Sequence, residues 1–469
     1  MRLPALLAGC LLFTTTALAQ PPNVTEFVSA LIQRHPEFLA TRARTDQAAS
    51  VREEADAQFD LRLVQETYVR PSGYYDGRYA EQGIVQPLGP MNAEVFGSYR
   101  ISDGSFPVYE ADYQTLDQGE ASIGVKLSLL QNRDTDSRRL ALTSAAFNYL
   151  EAESTQDVEL NKLIYRAVST WLEWYQSHQK LQVVRNLLTL TRSRLRAVET
   201  RVEGGDLAEI SLTEFRATLL QREVLEQEAE QRYELAQRRL AYFWRPEPEV
   251  AGESAARAAS LDEPPPEQIQ WPYKTTTTEP YDLAESIAEH PGLSALQAKV
   301  DQARNRKQLA QNEVLPQLDL EVKLAQDLGE GVEALDGTES VVGLSFYMPL
   351  GQRGARAREA VANAEIRELE YEALVLKEQI ERDIGVSLKA LQYSRQILNL
   401  SRQQELLASQ LLNQELARFN AGMSDQFLLI SRESTFLQAQ LKRVDAHIEV
   451  LRNELSLHAT LAKLAPSAT

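Results

Sequence analysis

The sequence EIRELEYEALVLKEQIERDIGVSLKALQYSRQIL, residues 365–398, decides the fold. Its apolar side chains return in steps of seven, four and three, the spacing of a helix that buries one seam against other helices. The pattern runs from Gly354 to Leu464 without a proline and is broken at Asn420–Gly422. It predicts a long antiparallel pair of helices. The first helix would span about 100 Å, at a rise of ~1.5 Å per residue.

The same helical pattern occurs earlier in the chain, over residues 133–244, where the only glycines are Gly204 and Gly205. Shared landmarks follow in the same order in both copies: His35-Pro36 and His290-Pro291, Asp60-Leu61 and Asp319-Leu320, then Arg201 to Gly205 and Arg418 to Gly422. Ordered landmarks of this kind indicate a tandem duplication of about two hundred residues per copy.

In the sequence before each predicted pair of helices, apolar residues recur at every second position. Residues 93–101 and 121–129 alternate in the first copy, and residues 318–324 and 342–348 alternate in the second. Alternating strands either cap a water-soluble core or separate lipid from a wet lumen. Two to four strands cannot close a barrel, and an open sheet edge in lipid leaves backbone groups without partners. If these strands span a membrane, several chains must therefore share one barrel.

Composition and motifs exclude several classes of function. The net charge of −18 leaves no basic surface for a nucleic-acid backbone, so we expect no nucleic-acid partner. No metal-ligand spacing, phosphate-binding loop or nucleophile motif occurs, and the two His-Pro pairs are interpreted as structural. We therefore predict no enzyme activity, no metal site and no cofactor.

The N-terminus has the composition of a secretory signal peptide. Arg2 precedes an apolar run, and Ala17-Leu18-Ala19 forms a small-residue cleavage site, which predicts a signal peptide at residues 1–19. The sole cysteine, Cys10, would be removed with it. Leu7-Ala8-Gly9-Cys10 also fits a lipoprotein cleavage pattern, so acylation of Cys10 remains an alternative. Either interpretation exports the protein from the cytoplasm.

These observations predict a mostly α-helical fold of tandem helical hairpins with a β part, whose strands either cap a water-soluble core or span a membrane. The first repeat, 20–244, holds a helix, strands within about 59–130 and a helical hairpin at 133–244. A proline-rich linker or strap, 245–280, leads to the second repeat, 281–464, with strands within about 317–350 and a hairpin at 354–464. Residues 465–469 form a short tail. The number of strands within 59–130 is left open.

The hairpin turns resemble those of a known family. Arg418-x-x-x-Gly422 is followed by Phe427-Leu428-Leu429-Ile430, Arg201-x-x-x-Gly205 is followed by Ile210-Ser211-Leu212, and Met348-Pro349-Leu350-Gly351 precedes Arg353. With the signal peptide and the duplication, this order resembles the TolC-like outer membrane efflux proteins over nearly the whole mature chain.

The resemblance implies a homotrimer in the outer membrane of a Gram-negative bacterium, with most of each chain in the periplasm. It implies a twelve-stranded barrel, four strands per chain, on a tunnel of twelve helices. The implied function is a passive exit duct of a tripartite efflux or type I secretion system, served by a periplasmic adaptor protein and an inner-membrane pump. The alternative is a periplasmic or secreted coiled-coil scaffold without a pore.

The resemblance also implies where the duct closes. The periplasmic tips would lie at Gly204, Gly205 and Gly422, with Asp206 close by. Acidic residues ring the gate in well-known family members, but the aligned positions here are Leu428 and Ser431. We hypothesise that Asp425 supplies a cation-attracting ring instead; the alternative is that Asp425 only caps the returning helix. Arg201 and Arg418 are the candidate adaptor contacts.

Overall fold

The computed structural model describes residues 22–246, 261, 264–275 and 283–465. The predicted signal peptide with Cys10, much of the predicted linker and residues 466–469 lie outside these residues.

The described chain consists of long helices and one antiparallel sheet. The helices are α1 (Val24–Arg34), α2 (Pro36–Asp56), α3 (Ser137–Glu203), α4 (Glu209–Phe243), α5 (Leu283–Ala288), α6 (Pro291–Asn312), α7 (Arg353–Asn420) and α8 (Gln426–Thr460). The strands are β1 (Arg62–Arg70), β2 (Gly77–Pro87), β3 (Glu94–Gly104), β4 (Glu120–Ser128), β5 (Gln317–Asp327) and β6 (Thr338–Tyr347). The proline-free helical patterns thus form α3 and α7, which are 67 and 68 residues long.

Both His-Pro pairs begin helices. Pro36 and Pro291 occupy the first position of α2 and α6, where a proline costs no hydrogen bond because that N–H has no partner within the helix. Each preceding histidine accepts a backbone N–H through Nδ1, from Glu37 at 3.3 Å and from Gly292 at 3.1 Å. The histidines therefore act as helix caps, which is the structural role predicted for them.

The described residues fall into two compact units, and each unit draws on both halves of the sequence. One comprises the described residues of Met1–Leu39, Leu160–Pro280 and Asp383–Thr469. Its core is built on α3, where Trp171 and Trp174 are fully buried and meet edge to face at 6.0 Å between ring centroids. Trp171 and Tyr175 stack at 5.6 Å between ring centroids, so these aromatic residues fill the space between helices.

The other unit comprises Ala40–Glu159 and Tyr281–Arg382 and contains the whole sheet. Its strands pair in the order β1-β2-β3-β4-β5-β6, and all neighbours are antiparallel. The four strands per chain that the family resemblance implied are therefore wrong, because the described residues form six. Residues 62–128 form four strands and residues 317–347 form two, because an additional hairpin, β2 with β3, lies between β1 and β4.

One face of the sheet is apolar and exposed. Residues directly opposite each other on neighbouring strands point to the same face of the sheet. The register therefore brings the alternating apolar residues together on one face. They are Leu63, Val69, Ile84, Val95, Tyr99, Ile101, Ile123, Val125, Leu318, Leu320, Val322, Leu324, Val342, Leu344 and Phe346. Leu63 is 80% exposed, Val342 71% and Phe346 66%. An apolar face of this extent requires a non-aqueous neighbour.

The opposite face of the sheet is mainly polar and partly buried. It carries Glu66, Tyr79, Glu81, Glu94, Ser98, Arg100, Glu120, Ser122, Lys126, Asp319, Glu321 and Lys323. Arg100, Glu120 and Asp319 are buried. The sheet therefore has the alternation of a membrane barrel wall, apolar toward lipid and polar toward a lumen.

Acid should destabilise the compact unit built around Trp171 and Trp174, here called the helical unit, through its histidines. Burial lowers the pKa of the four histidines of this unit, His35, His178, His447 and His458, and at His447 the nearby Arg402 and Arg443 lower it further. The unfolded chain then binds more protons than the folded chain, so stability present above about pH 6.5 is lost as the pH falls below it. We expect the thermal unfolding midpoint in detergent to fall between pH 7.5 and 5.5.

The variant His447→Gln should reduce that fall, because it removes one group that must be protonated on unfolding. A midpoint that stays constant across this range, or one that rises, would contradict the prediction.

Candidate functional site

The two hairpin turns have the same geometry. After α3, Gly205 takes a left-handed φ of +80°, and the N–H of Asp206 donates to the Arg201 carbonyl at 2.8 Å. After α7, Gly422 takes φ of +72°, and the N–H of Met423 donates to the Arg418 carbonyl at 2.9 Å. A glycine in this conformation ends a helix by pairing its last carbonyls. The repeated Arg-to-Gly landmark therefore encodes two equivalent turns.

The two turns contact each other through the residues near their glycines. The Arg201 guanidinium lies 5.6 Å from the centre of the Phe419 ring, within the range of a cation–π contact. Gln426 Nε2 donates to the Ser211 carbonyl at 3.0 Å, joining the start of α8 to the start of α4. The candidate adaptor residue Arg201 thus connects the first hairpin to the second.

The other candidate adaptor residue, Arg418, is exposed. Its guanidinium lies 3.6 Å from Glu415 and donates to the Met423 carbonyl at 3.4 Å. Glu415 is buried and also accepts a hydrogen bond from Ser424. Arg418 therefore supports the second turn from outside and keeps part of its surface accessible.

Asp425 is the N-cap of α8. Its carboxylate accepts the Leu428 N–H at 2.8 Å, which satisfies one of the unpaired donors at the helix start and places negative charge at the positive end of the helix dipole. The side chain is exposed, as are Asp206 and Ser431, whereas Leu428 is half-buried. The capping role is thus observed directly, and the exposed carboxylate can also attract cations.

A buried ionic cluster links three helices and was missed in the sequence. Glu433 of α8 accepts from Arg222 of α4 at 2.6 Å and contacts Arg194 of α3, while Arg222 also hydrogen-bonds Thr191. The side chains of Arg222 and Glu433 are 5% and 2% exposed. Burial, with Arg194 as a second cause, lowers the pKa of Arg222 to about 10. Charged residues on helices are usually solvated, so the sequence held no signal for this cluster.

A second ionic network crosses the polar face of the sheet. Glu120 accepts from Arg100 Nη2 at 2.6 Å and from Lys323 Nζ at 2.9 Å, and Arg100 Nη1 lies 3.9 Å from Glu81. The Tyr79 hydroxyl donates to Glu66 at 2.6 Å. The network joins β1 through β5 by charge-assisted contacts on the side opposite the apolar face. The network is compatible with a water-filled lumen, because its charges pair with one another on the side away from the apolar face.

Within the part of the chain that the structure describes, no cluster of His, Cys, Asp or Glu side chains could hold a metal ion. No helix in the described ranges is long and apolar enough to cross a membrane.

The fold combines long helical hairpins with an antiparallel sheet that is apolar on one face and polar on the other, the architecture of an outer-membrane channel subunit. Residues 283–463 match the model of the outer membrane efflux protein family. The chain is 20% identical over 395 residues to the outer membrane efflux protein BepC of Brucella suis, covering 82% of this chain and 80% of BepC. It is 24% identical over 213 residues to the outer membrane protein TolC of Escherichia coli, covering 41% of this chain and 42% of TolC.

The fold has a solved counterpart in the outer membrane protein VceC of Vibrio cholerae. The TM-score is 0.65 at 16% identity, with 94% of this chain and 96% of VceC covered. These matches confirm the predicted relationship to the TolC-like outer membrane efflux proteins and the predicted fold class and location. The matched family and these relatives are outer-membrane efflux proteins, a transport class and not an enzyme class.

Removing the Glu433 carboxylate should destabilise the helical unit. Glu433→Gln leaves Arg194 and Arg222 buried without a counter-charge, a loss that typically costs about 3–5 kcal/mol. The matched control is Glu223→Gln, whose partner Arg192 lies 3.0 Å away in a pair that is 52% and 37% exposed. An exposed pair contributes at most about 1 kcal/mol.

We expect a clearly lower thermal unfolding midpoint in detergent for Glu433→Gln and a nearly unchanged one for Glu223→Gln. Equal midpoints for the two variants would contradict a structural role for the cluster.

Proposed function

We propose that this protein is the passive exit duct of a tripartite efflux or type I secretion system, and that it works as a homotrimer. The observation that carries the proposal is the six-stranded sheet, with an exposed apolar face, a polar face rich in ion pairs and two edges without partner strands among the described residues. Lipid can cover the apolar face, but only further strands can pair the backbone N–H and C=O groups of the two edges.

The strand directions favour closure by identical copies. Six antiparallel strands alternate in direction, so β1 and β6 run in opposite directions. The β6 edge of one copy can therefore pair with β1 of the next without breaking the antiparallel order. Three copies give eighteen strands, an even number within the range of outer-membrane barrels. Barrels of 16–18 strands leave an aqueous channel.

Around the two hairpin turns, exposed apolar residues support a protein partner. Phe427 is 80% exposed, Ile210 67% and Met423 66%, beside the exposed Arg418. Apolar side chains clustered with an arginine are characteristic of binding surfaces. We propose that these turns receive a periplasmic adaptor protein, which connects the duct to an inner-membrane pump. Arg201 and Arg418 would then hold the turns in the conformation that the adaptor binds.

The arrangement of the sequence supports the same function. We propose that the chain comprises two repeats, residues 20–244 and 281–464, joined by a linker at 245–280 and preceded by a signal peptide at 1–19. Such a chain is exported before it assembles. The scaffold alternative leaves the exposed apolar face of the sheet without a purpose, and it predicts a protein that stays in solution without detergent.

The experiment that tests this proposal is single-channel recording of the mature protein in planar lipid bilayers, with its mass measured in the same detergent preparation. A duct gives discrete openings and the mass of three chains. A monomeric protein that stays in solution without detergent and gives no conductance would contradict the duct and favour the scaffold.

The gate hypothesis can be tested at Asp425. Asparagine caps a helix about as well as aspartate, so Asp425→Asn removes the charge and preserves the start of α8. If three copies of Asp425 form a cation-attracting ring, we expect a lower ratio of cation to anion permeability and weaker block by divalent cations. The control is Asp206→Asn, which removes an exposed charge beside the first turn.

Unchanged selectivity and block in Asp425→Asn, with trimers intact, would leave Asp425 as a helix cap alone. Equal losses in both variants would indicate that the general charge of the turns, and not a ring at Asp425, determines selectivity.

A further inference from the structure

The loop between β3 and β4, residues 105–119, folds back over the polar face of the sheet. The ring of Tyr113 stacks on that of Tyr79, with centroids 4.8 Å apart and planes inclined by 4°. The Arg100 guanidinium lies 5.9 Å from the centre of the Tyr113 ring. Tyr79 and Arg100 both belong to the polar face. The loop therefore covers the side of the sheet that faces away from the apolar surface.

Two further contacts hold the same loop on the polar face. The Phe106 ring packs against Gly77, where an added Cβ would lie 3.0 Å from the ring. Glu110 accepts the Tyr75 hydroxyl and lies 4.0 Å from Arg70, a polar-face residue of β1. The absence of a side chain at Gly77 thus provides the space that Phe106 occupies.

The end of the loop is fixed to the neighbouring strands. The Thr115 N–H donates to Ser102 Oγ at 2.7 Å, and the Leu116 N–H donates to Asp327 Oδ1 at 3.0 Å. The Glu330 N–H donates to Asp117 Oδ1 at 2.7 Å, so the loop is also bonded to the β5–β6 loop, residues 328–337. The β3–β4 loop is therefore held at both ends and along one face, which fixes its position.

The middle of the loop is unpacked on its far side and acidic. Val108 is 94% exposed and Tyr109 68%. The loop contains Glu110, Asp112 and Asp117 and no lysine, arginine or histidine. The β5–β6 loop contains Glu330, Glu333 and Asp336 and also lacks basic residues. Asp112 is exposed beside the anchoring Tyr113.

We propose that the β3–β4 loop narrows the lumen of the assembled barrel and makes this constriction selective for cations. The inference rests on the proposed function, because the polar face becomes a lumen only when copies of the chain close a barrel. An eighteen-stranded barrel without such loops would be an open aqueous channel. Three inward loops obstruct part of it, and the exposed Asp112 carboxylate of each copy places negative charge at the constriction, which favours cations.

The test is single-channel recording of purified trimers carrying changes in the loop. One variant replaces residues 106–113 by Gly-Ser-Gly, which removes the covering segment. A second, Tyr113→Ala, removes the stacking anchor; its matched control is Phe346→Ala, an aromatic truncation on the apolar face of the same sheet. A third, Asp112→Asn, removes the exposed charge; its control is Glu54→Gln, the same charge loss on the exposed surface of α2.

We expect the shortened loop to raise the conductance about twofold or more and Tyr113→Ala to raise it or to add open-channel fluctuations. Asp112→Asn should lower the ratio of cation to anion permeability, with conductance nearly unchanged. Both controls should behave as the wild-type protein.

Trimers with the shortened loop that retain wild-type conductance and selectivity would overturn the constriction while leaving the duct intact. Trimeric wild-type protein that forms no channels would instead overturn the duct. Higher conductance of the shortened-loop variant, together with unchanged cation-to-anion permeability in Asp112→Asn, would overturn the charge filter.

Discussion

A sheet that is apolar on one face and unpaired at both edges cannot be stable in lipid as a single chain. Each unpaired backbone group in hydrocarbon costs several kcal/mol, so the edges at β1 and β6 require partners. The described part of the chain supplies none, because its six strands pair only with one another in sequence order. The requirement for further copies follows from this constraint, and the even strand number lets those copies join without a change of direction.

The polar face follows from the same constraint. Once copies close a barrel, the face opposite lipid surrounds water, where ionised side chains are tolerated. The pairs that Glu120 makes with Arg100 and Lys323 satisfy these charges across strand boundaries. They also fix the register of β3, β4 and β5, since a slip of one residue would turn the charges toward lipid. Register and lumen chemistry are thus determined together.

The long helices and their turns could be predicted from the sequence because their signals are local. The period of the apolar residues, the absence of proline and the glycines Gly205 and Gly422 each act on neighbouring residues. The strand β2 gave a weaker signal, because its outward positions hold Arg78, Ala80, Gln82 and Ile84 and do not alternate clearly. Gln82 lies opposite Gln65 and hydrogen-bonds it at 3.3 Å, which reduces the cost of an amide on that face.

The features that could not be predicted depend on contacts between distant residues. Glu433 and Arg222 are 211 positions apart, and each alone is an ordinary charged residue on a helix. Tyr113 and Tyr79 meet only because the β3–β4 loop turns back over the sheet. The resemblance to the family also did not predict the additional hairpin, because the four strands that it implied are the number in other members.

We propose that β6 of one chain pairs with β1 of the next to close a barrel of three chains. Disulfide cross-linking tests it most directly, because Cys10 is the only cysteine and precedes the predicted cleavage site. Cysteines are placed at Leu63 in β1 and, one at a time, at Val342, Leu344 and Phe346 in β6. Mild oxidation in the outer membrane should give covalent dimers and trimers for at least one pair, with nothing larger. Monomers for every pair, or dimers from the Leu63 cysteine alone, would contradict the account.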